Sequence, residues 1–394
     1  MPWLLKMTLL AATIKAAVDL YLGWRMIRAV EYLSPTSGSS LAWLVVLLFL
    51  TFYLFPLSGF FQYLGGANVD ILTYPKPIIY YFWFGFAFSF QVLAWIVASD
   101  ILKISANANG INAPFVDQVY GFLVVGFFLV ILVYTGYKMY SDTLDIEVEP
   151  ITYTEETLSE DLEGFRIAHI TDVQADRYTG QPQVAAYVDR VNAEHPDLVV
   201  VTGDLISYGT GYVAMAADEL ARLEAPHGVY FVIGDHDYWA GSDEIAGALR
   251  ERGIRVLEGE NAYREVGRAR VRLSGITNVY SRTAPVEEVR RLTRDSTEAE
   301  LRVMLTHQVS EEIIRESEAA GYHLLLAGHT HGGQIRVPLF FTRFSAPDFE
   351  TPYVQGPYQE GEMLINVNNG LGFTLSPVRY NAPPNISIIE LRRE

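Results

Sequence analysis

Cysteine is absent from the chain, so neither a disulfide framework nor a thiolate metal site can exist. Basic residues are few: 29 Lys and Arg stand against 46 Asp and Glu. The deficit is uneven. Residues 1–140 hold 7 basic and 5 acidic side chains, which leaves 22 and 41 for residues 141–394, a formal −19. Nucleic-acid binding rests on Lys and Arg contacts to phosphate, so this acidic part is a poor match to a polyanion. Its charge reads as a solubility feature. No internal repeat or low-complexity tract stands out.

Charge is missing altogether from residues 41–64, 78–99 and 118–137. A bilayer core takes about 20 mostly apolar residues in a helix, and each run suffices. Trp43, Tyr80, Trp83, Trp95, Tyr120 and Tyr134 lie near their ends, as in interfacial aromatic belts; the rival reading is buried core helices. Residues 8–24 are apolar except for Lys15 and Asp19, whose i, i+4 spacing lets them pair on one helical face. We read a fourth span with its polar face turned into the bundle; an interfacial amphipathic helix is the alternative. A removable signal peptide fits less well, because the apolar run is interrupted and no small-residue cleavage site follows. The expected spans are 8–30, 41–64, 78–102 and 117–140. Arg25 and Arg28 after the first, with Lys103 after the third, favour an extracytoplasmic C-terminal part, with Lys6, Lys76 and Lys138 opposing.

Beyond an acidic, Thr-rich stretch at 141–163, read as a linker, apolar runs alternate with helical patterns. Helices are expected over 183–194, 214–223, 243–252, 286–294 and 310–320, so residues 164–394 read as an α/β domain. Five apolar runs end in polar signatures. Residues 166–171 lead to Asp172-Val173-Gln174, and 198–202 to Gly203-Asp204. Residues 229–233 lead to Gly234-Asp235-His236-Asp237, 301–306 to His307, and 322–327 to Gly328-His329-Thr330-His331-Gly332-Gly333-Gln334. Ligands of open parallel sheets bind beyond the carboxyl ends of the strands. His329 and His331, two apart on extended chain, point the same way, and neutral imidazole is a common metal ligand. One such Asp is ordinary turn chemistry; five such ends together point to a metal site. His169, three residues before Asp172 on a strand, faces the other side and reads as structural. Asp176 reads as a loop residue, with a replacement ligand as its alternative role.

The series D-x-(Gln), G-D, G-(Asp)-H-D, H, G-H-x-H resembles the calcineurin-like metallophosphoesterases over about residues 160–394. The string from Gly328 to Gln334 resembles a membrane-associated bacterial branch, as do Asn369-Gly370-Leu371-Gly372, Arg379 and Pro383-Pro384. The resemblance implies two packed sheets flanked by helices, and two adjacent divalent metals bridged by Asp204. Asp172 and His331 would serve one metal, His307 and His329 the other. His236 would contact the phosphate and assist the leaving group. Two such cations bind phosphoryl oxygens and lower the pKa of a water between them.

This chain departs from the family at two positions: Gln174 stands where it has a ligating His, and Asp235 where it has Asn. Both shift the ligand set toward oxygen, which favours Mn²⁺, with Mg²⁺, Zn²⁺ or Fe as alternatives. The overall expectation is a helical transmembrane bundle (1–140) followed by a metallophosphoesterase domain. It would be a multi-pass protein of a bacterial inner or plasma membrane, hydrolysing a lipid-linked phosphate, phosphodiester or pyrophosphate. The alternatives are a non-catalytic metal- or phosphate-binding sensor and a nucleotide phosphodiesterase. After Pro338 the greasy run with Phe340 and Phe341, together with Arg343, reads either as loop packing or as a lip that takes the lipid head group.

Overall fold

The computed structural model describes residues 2–35, 38–67, 74–339 and 342–393. In chain order the helices are α1 (Trp3–Leu33), α2 (Gly38–Thr51), α3 (Leu54–Leu64), α4 (Lys76–Ala108), α5 (Ala113–Leu144), α6 (Gln181–Asn192), α7 (Val213–Leu220), α8 (Asp235–Glu251), α9 (Val286–Thr293) and α10 (Glu311–Ala319). The strands are β1 (Glu147–Thr154), β2 (Arg166–Ile170), β3 (Leu198–Val201), β4 (Val229–Phe231), β5 (Arg255–Val256), β6 (Glu260–Val266), β7 (Ala269–Ile276), β8 (Leu301–Thr306), β9 (Leu324–Ala327), β10 (Val337–Leu339), β11 (Thr342–Phe344), β12 (Gly356–Glu360), β13 (Met363–Val367) and β14 (Asn385–Arg392). They form two compact units. One comprises Met1–Thr143 with Ile335–Ser345 and Leu375–Asn381; the other comprises Leu144–Gln334, Ala346–Thr374 and Ala382–Glu394.

The first unit is helical. Among the described residues α4 and α5 are each long and apolar enough to cross a membrane, and α2 with α3, bent by 59° at their break, would make a third span if read as one. The remaining expected span is covered by α1, which is long enough but carries Lys15, Asp19, Arg25 and Arg28. Its charges are paired, as apolar surroundings demand. Buried Lys15 donates to Asp19, and Asp19 also accepts from Tyr53 Oη at 2.7 Å and Ser89 Oγ at 2.6 Å. The Lys15 ammonium lies 4.5 Å from the Phe52 ring centroid and 4.8 Å from that of Tyr53. These two residues form the break between α2 and α3, so the pair ties the break to α1 and α4. Arg25 lies 2.6 Å from Asp100. Because α1 runs on to Leu33, Arg25 and Arg28 stand inside a helix and not in the loop where the orientation reading had placed them.

Two short pieces from late in the chain belong to this unit. The antiparallel hairpin β10–β11 packs against α4. Around Arg379, Asn381 N donates to Asp142 Oδ2 (2.6 Å), Arg379 N to Thr143 Oγ1 (3.0 Å), and Tyr380 Oη to Gln91 Oε1 (3.0 Å). The expectation of one unbroken domain over 164–394 therefore changes: two inserts from it complete the helical unit.

The second unit holds two six-stranded sheets, ordered β1-β14-β2-β3-β4-β5 and β12-β13-β9-β8-β7-β6. Strands β2 to β5 run parallel, as do β7, β8, β9 and β13. Side chains alternate across each strand, and the apolar residues sort accordingly. Ala168, Ile170, Val199 and Val201 pack on α6 to α8; Ile167, Leu198, Val200, Val303, Leu305 and Leu326 fill the space between the sheets; Met304 and Leu325 pack on α9 and α10. The result is a helix–sheet–sheet–helix sandwich. The five expected helices form with shifts of a few residues at their ends, the largest for α8, which begins at Asp235 and is kinked at Gly241. The stretch 141–163, expected as a linker, instead contains the end of α5 and β1, paired over eight residues with β14. Acidic and Thr residues on the exposed face hid the alternation of buried Ile151 and Tyr153.

Fully buried His169 links the sheets. Asn366 Nδ2 donates to its Nδ1 (2.8 Å), so its Nε2–H faces Thr202 Oγ1 (2.9 Å). Burial pushes its pKa down to about 3. The unfolded chain binds this proton below about pH 6.5, so the stabilisation from neutral His169 is present above that pH and is lost as pH falls toward 3, by about 1.4 kcal/mol per unit. Urea unfolding should therefore show wild type losing about 2 kcal/mol more than His169→Gln between pH 7 and pH 5; equal pH slopes would contradict it.

Candidate metal centre

The carboxyl ends of β2, β3 and β4 supply Asp172, Asp204 and Asp235, and those of β8 and β9 supply His307 and the His329–His331 turn. Each strand stops at an abrupt turn. Asp172, Gln174, Asp204, His329 and His331 have φ of 50°, 50°, 56°, 72° and 51°, the left-handed region that non-glycine residues rarely adopt. Such strain costs on the order of 1 kcal/mol or more per residue and persists only where the surroundings over-determine it.

The surroundings do so with backbone amides. Asp172 Oδ2 accepts from His329 N (3.0 Å), Asp204 Oδ1 from His236 N (2.9 Å), and Asp235 Oδ1 from Tyr280 N (2.7 Å). Asp237 accepts from the amides of Asp204 (2.8 Å), Leu205 (2.9 Å) and Gly234 (3.1 Å), so it fixes the turn that carries Asp204. Burial and the Asp204 carboxylate push Asp237 up to about 7, against three donors that favour its ionised form. Gly203 allows the close packing with φ +100°, and a Cβ on Gly234 would overlap Asp204.

The side chains converge in two groups of ligand atoms, each within 4.8 Å of one another: Asp172, Asp204 and His307, and Asp235, His307 and His329. His331 Nε2 lies 3.1 Å from Asp172 Oδ1. His329 Nδ1 is 2.8 Å, and His307 Nε2 3.4 Å, from Asp235 Oδ2. His307 Nδ1 faces the Thr202 carbonyl (2.7 Å) and must donate to it, which frees Nε2 as an acceptor. Gln174 Nε2 donates to Asp204 Oδ2 (2.7 Å), turning Oε1 the other way. His236 Nδ1 donates to Ser207 O (2.6 Å), and its ring meets those of Tyr208 and Trp239 edge-on. Asp176 accepts from the amides of Tyr178 and Thr179 and caps its own turn.

The electrostatics match a site built around positive charge. Burial opposes ionisation of Asp172 and Asp235, yet the neighbouring imidazoles hold both carboxyls below their usual range. Burial likewise opposes charge on His307 and His329, but Asp204 and Asp235 for the first, and Asp235 and Glu350 for the second, raise both. Asp172 Oδ1, Gln174 Oε1 and His307 Nε2 are buried without a hydrogen-bond partner. An unmet buried polar atom costs about 1–3 kcal/mol, and a divalent cation would satisfy all three. The residues present therefore fit such ions.

Residues 165–333 match the family model for calcineurin-like phosphoesterases. These residues, a little under half of the chain, carry the likeness to that family. It is 28% identical over 262 residues to the metallophosphoesterase YkuE of Bacillus subtilis, covering 65% of this chain and 89% of that one. It is 28% identical over 233 residues to the phosphodiesterase YaeI of Escherichia coli (58% and 82% covered). It is also 27% identical over 264 residues to a transmembrane protein with metallophosphoesterase domain of Danio rerio (64% and 57%).

The likeness, together with the cluster of metal-ligating side chains, marks the chain as a metal-dependent phosphoric ester hydrolase. The structure brings together the eight residues Asp172, Gln174, Asp204, Asp235, His236, His307, His329 and His331. Arg343 lies exposed on β11 in the helical unit, and Phe340 and Phe341 fall outside the described residues. Asp237, Tyr280 and Gln308 were missed by sequence reasoning. Asp237 could have been found as the last residue of the Gly234–Asp237 run; Tyr280 and Gln308, whose Nε2 donates to Asp235 Oδ2 at 2.8 Å, had no motif to mark them. Gly234→Ala should displace Asp204 and weaken Mn²⁺ binding about 10–100-fold, as loss of support around a ligand does. Titration calorimetry of metal-stripped protein measures this; unchanged affinity would mean the close approach is not needed.

Proposed function

We propose that this protein is a membrane-bound phosphodiester hydrolase that uses two divalent cations, manganese foremost, to cleave a lipid-linked phosphoester at the bilayer surface. The observation that carries the metal reading is the set of three buried, partnerless ligand atoms on Asp172, Gln174 and His307, within a cluster of acids and imidazoles. Asp204 would bridge the ions, with Asp172, Gln174 and His331 on one and Asp235, His307 and His329 on the other. Ions held there would neutralise phosphoryl oxygens and make a water nucleophilic near neutral pH. His236, with Nδ1–H committed to Ser207 O, keeps Nε2 for the substrate, and in its imidazolium form it would pass the Nε2 proton to the leaving oxygen and become neutral. Asp237 would position Asp204 through the amides of Asp204 and Leu205.

The diester preference takes support from the phosphodiesterase named among the relatives. Membrane residence takes support from the two long apolar helices and the transmembrane relative. Hydrolysis at the surface avoids extracting a lipid from the bilayer. The β10–β11 hairpin suits the lip role. It packs on α4, exposes Leu339, Arg343 and Phe344, and starts three residues after Gln334 of the His331 turn. The acidic surface disfavours a nucleic-acid substrate.

Detergent-purified protein should hydrolyse bis(p-nitrophenyl) phosphate with added Mn²⁺, and His331→Ala should lower the rate at least about 100-fold, as loss of a metal-centre group does. Wild type no faster than the variant with Mn²⁺, Mg²⁺ and Zn²⁺ each supplied would refute the hydrolase reading for diesters. For the lip, Phe340→Ser with Phe341→Ser should cut activity on a vesicle-borne phosphodiester about tenfold more than on the soluble ester, since two apolar side chains that could enter a bilayer are removed. Equal losses on both substrates would remove the lip.

A further inference from the structure

A cleft of about 120 Å³ opens beside His329, and the metal ligands do not account for its walls. Tyr280, Gln308, Glu350 and Tyr353 line it together with His329. The Tyr280 ring lies edge-on to His329, centroids 4.9 Å apart, and the Tyr353 ring meets Tyr358 at 5.1 Å. Tyr280 Oη donates to Glu350, whose Oε2 is 3.9 Å from His329 Nε2. Glu350 is half exposed, at 51%. Its contacts are thus a phenol and the imidazole of a candidate metal ligand, with no Lys or Arg among the described residues. Neither Lys nor Arg lines the cleft among the described residues.

This composition discriminates between ligands. A second phosphate, as in a pyrophosphate, would meet a carboxylate and no cation, so the cleft repels it. A plain alkyl group would cover the half-exposed Glu350 carboxylate without offering it a counter-charge. An ammonium group meets what is there: a carboxylate, a phenol oxygen and two aromatic rings. Aromatic faces beside an acid are the usual means of holding quaternary ammonium, with each ring adding about 0.5–2 kcal/mol. The cleft adjoins His329, so a phosphate at the metal centre would place a short substituent within its reach.

Resting on the phosphodiesterase reading, we infer that this cleft binds the alkylammonium portion of a phosphodiester, so that the preferred substrates carry a cationic head group. Glu350 supplies the counter-charge, Tyr280 and Tyr353 the rings.

The test compares p-nitrophenyl phosphorylcholine with p-nitrophenyl 3,3-dimethylbutyl phosphate, which has the same shape without the charge, on full-length protein with Mn²⁺. The choline ester should have a KM about tenfold lower, the size expected of one ion pair plus aromatic contacts. Glu350→Gln should bring the two KM values within about threefold. Tyr353→Leu should shrink the preference too, and serves if Glu350→Gln does not fold. Equal KM values in wild type, or a preference unmoved by either variant, would overturn the inference. If neither ester is cleaved, the hydrolase reading fails separately, and calorimetric binding of tetramethylammonium decides the cleft. Binding that weakens about tenfold in Glu350→Gln sustains it, and no binding to wild type overturns it.

Discussion

Three buried carboxylates facing one point set the terms for the rest of the catalytic unit. Asp172, Asp204 and Asp235 repel one another and are expensive to keep ionised away from water. The fold meets the cost in two ways. Each carboxylate accepts a backbone N–H from a turn that carries another member of the site: His329 N for Asp172, His236 N for Asp204, Tyr280 N for Asp235. Imidazoles then fill the space between the acids, with His307 within reach of both Asp204 and Asp235. Among the described residues Asp172 Oδ1, Gln174 Oε1 and His307 Nε2 are left without a well-formed hydrogen bond. A cation is the missing partner, which makes the centre a strained, charge-loaded cavity completed by metal.

That economy explains the sheet architecture. Ligands from two sheets can meet only if the sheets are held in fixed register, and the apolar layer between them does this together with a buried hydrogen-bonded group around His169. There the contacts are complete: Thr202 on the same sheet, Asn366 on the other. Thr202 also presents its carbonyl to His307. One strand end thus connects the inter-sheet lock to a candidate ligand, and small changes at Thr202 would be felt in both. The helical unit uses the same principle of buried charge fully paired, in Lys15–Asp19 and Arg25–Asp100. It also takes its hairpin and the Arg379 segment from the far end of the chain, so its assembly waits for residues near position 380.

Most of the site was legible because its chemistry is local. Asp172, Asp204, Asp235 and His307 each follow a β-branched or leucine-rich run, and strand ends converge by the geometry of parallel sheets. His169 could be set aside by period-two alternation alone. Legibility ended where geometry is non-local. Tyr280 and Glu350 lie on loops 70 positions apart, and only folding makes them neighbours. The strand β1 was lost because its exposed face carries Glu and Thr, the residues of a solvated tether. The inserts at 335–345 and 375–381 were lost because nothing in their composition separates them from the α/β domain they interrupt. Arg25 reads in the sequence as a loop charge, but α1 runs past it and it pairs with Asp100.

The two departures from the family pattern act together. Exchanging a ligating His for Gln174 leaves the ligand set's charge unchanged but replaces nitrogen with a carbonyl oxygen. Exchanging Asn for Asp235 adds one negative charge. With two divalent cations the three carboxylates leave the centre one positive charge short of the family arrangement. Attraction for a phosphoryl group weakens accordingly, and it weakens more for a dianionic monoester than for a monoanionic diester, because Coulomb energy scales with the substrate's charge. Glu350 at the rim of the cleft pushes the same way. Oxygen-rich ligation favours hard cations that exchange their ligands readily over zinc. On the proposed two-metal reading, a hard, moderately charged centre with an acidic cleft beside it would suit a monoanionic diester, and the more so when that diester brings a positive charge of its own.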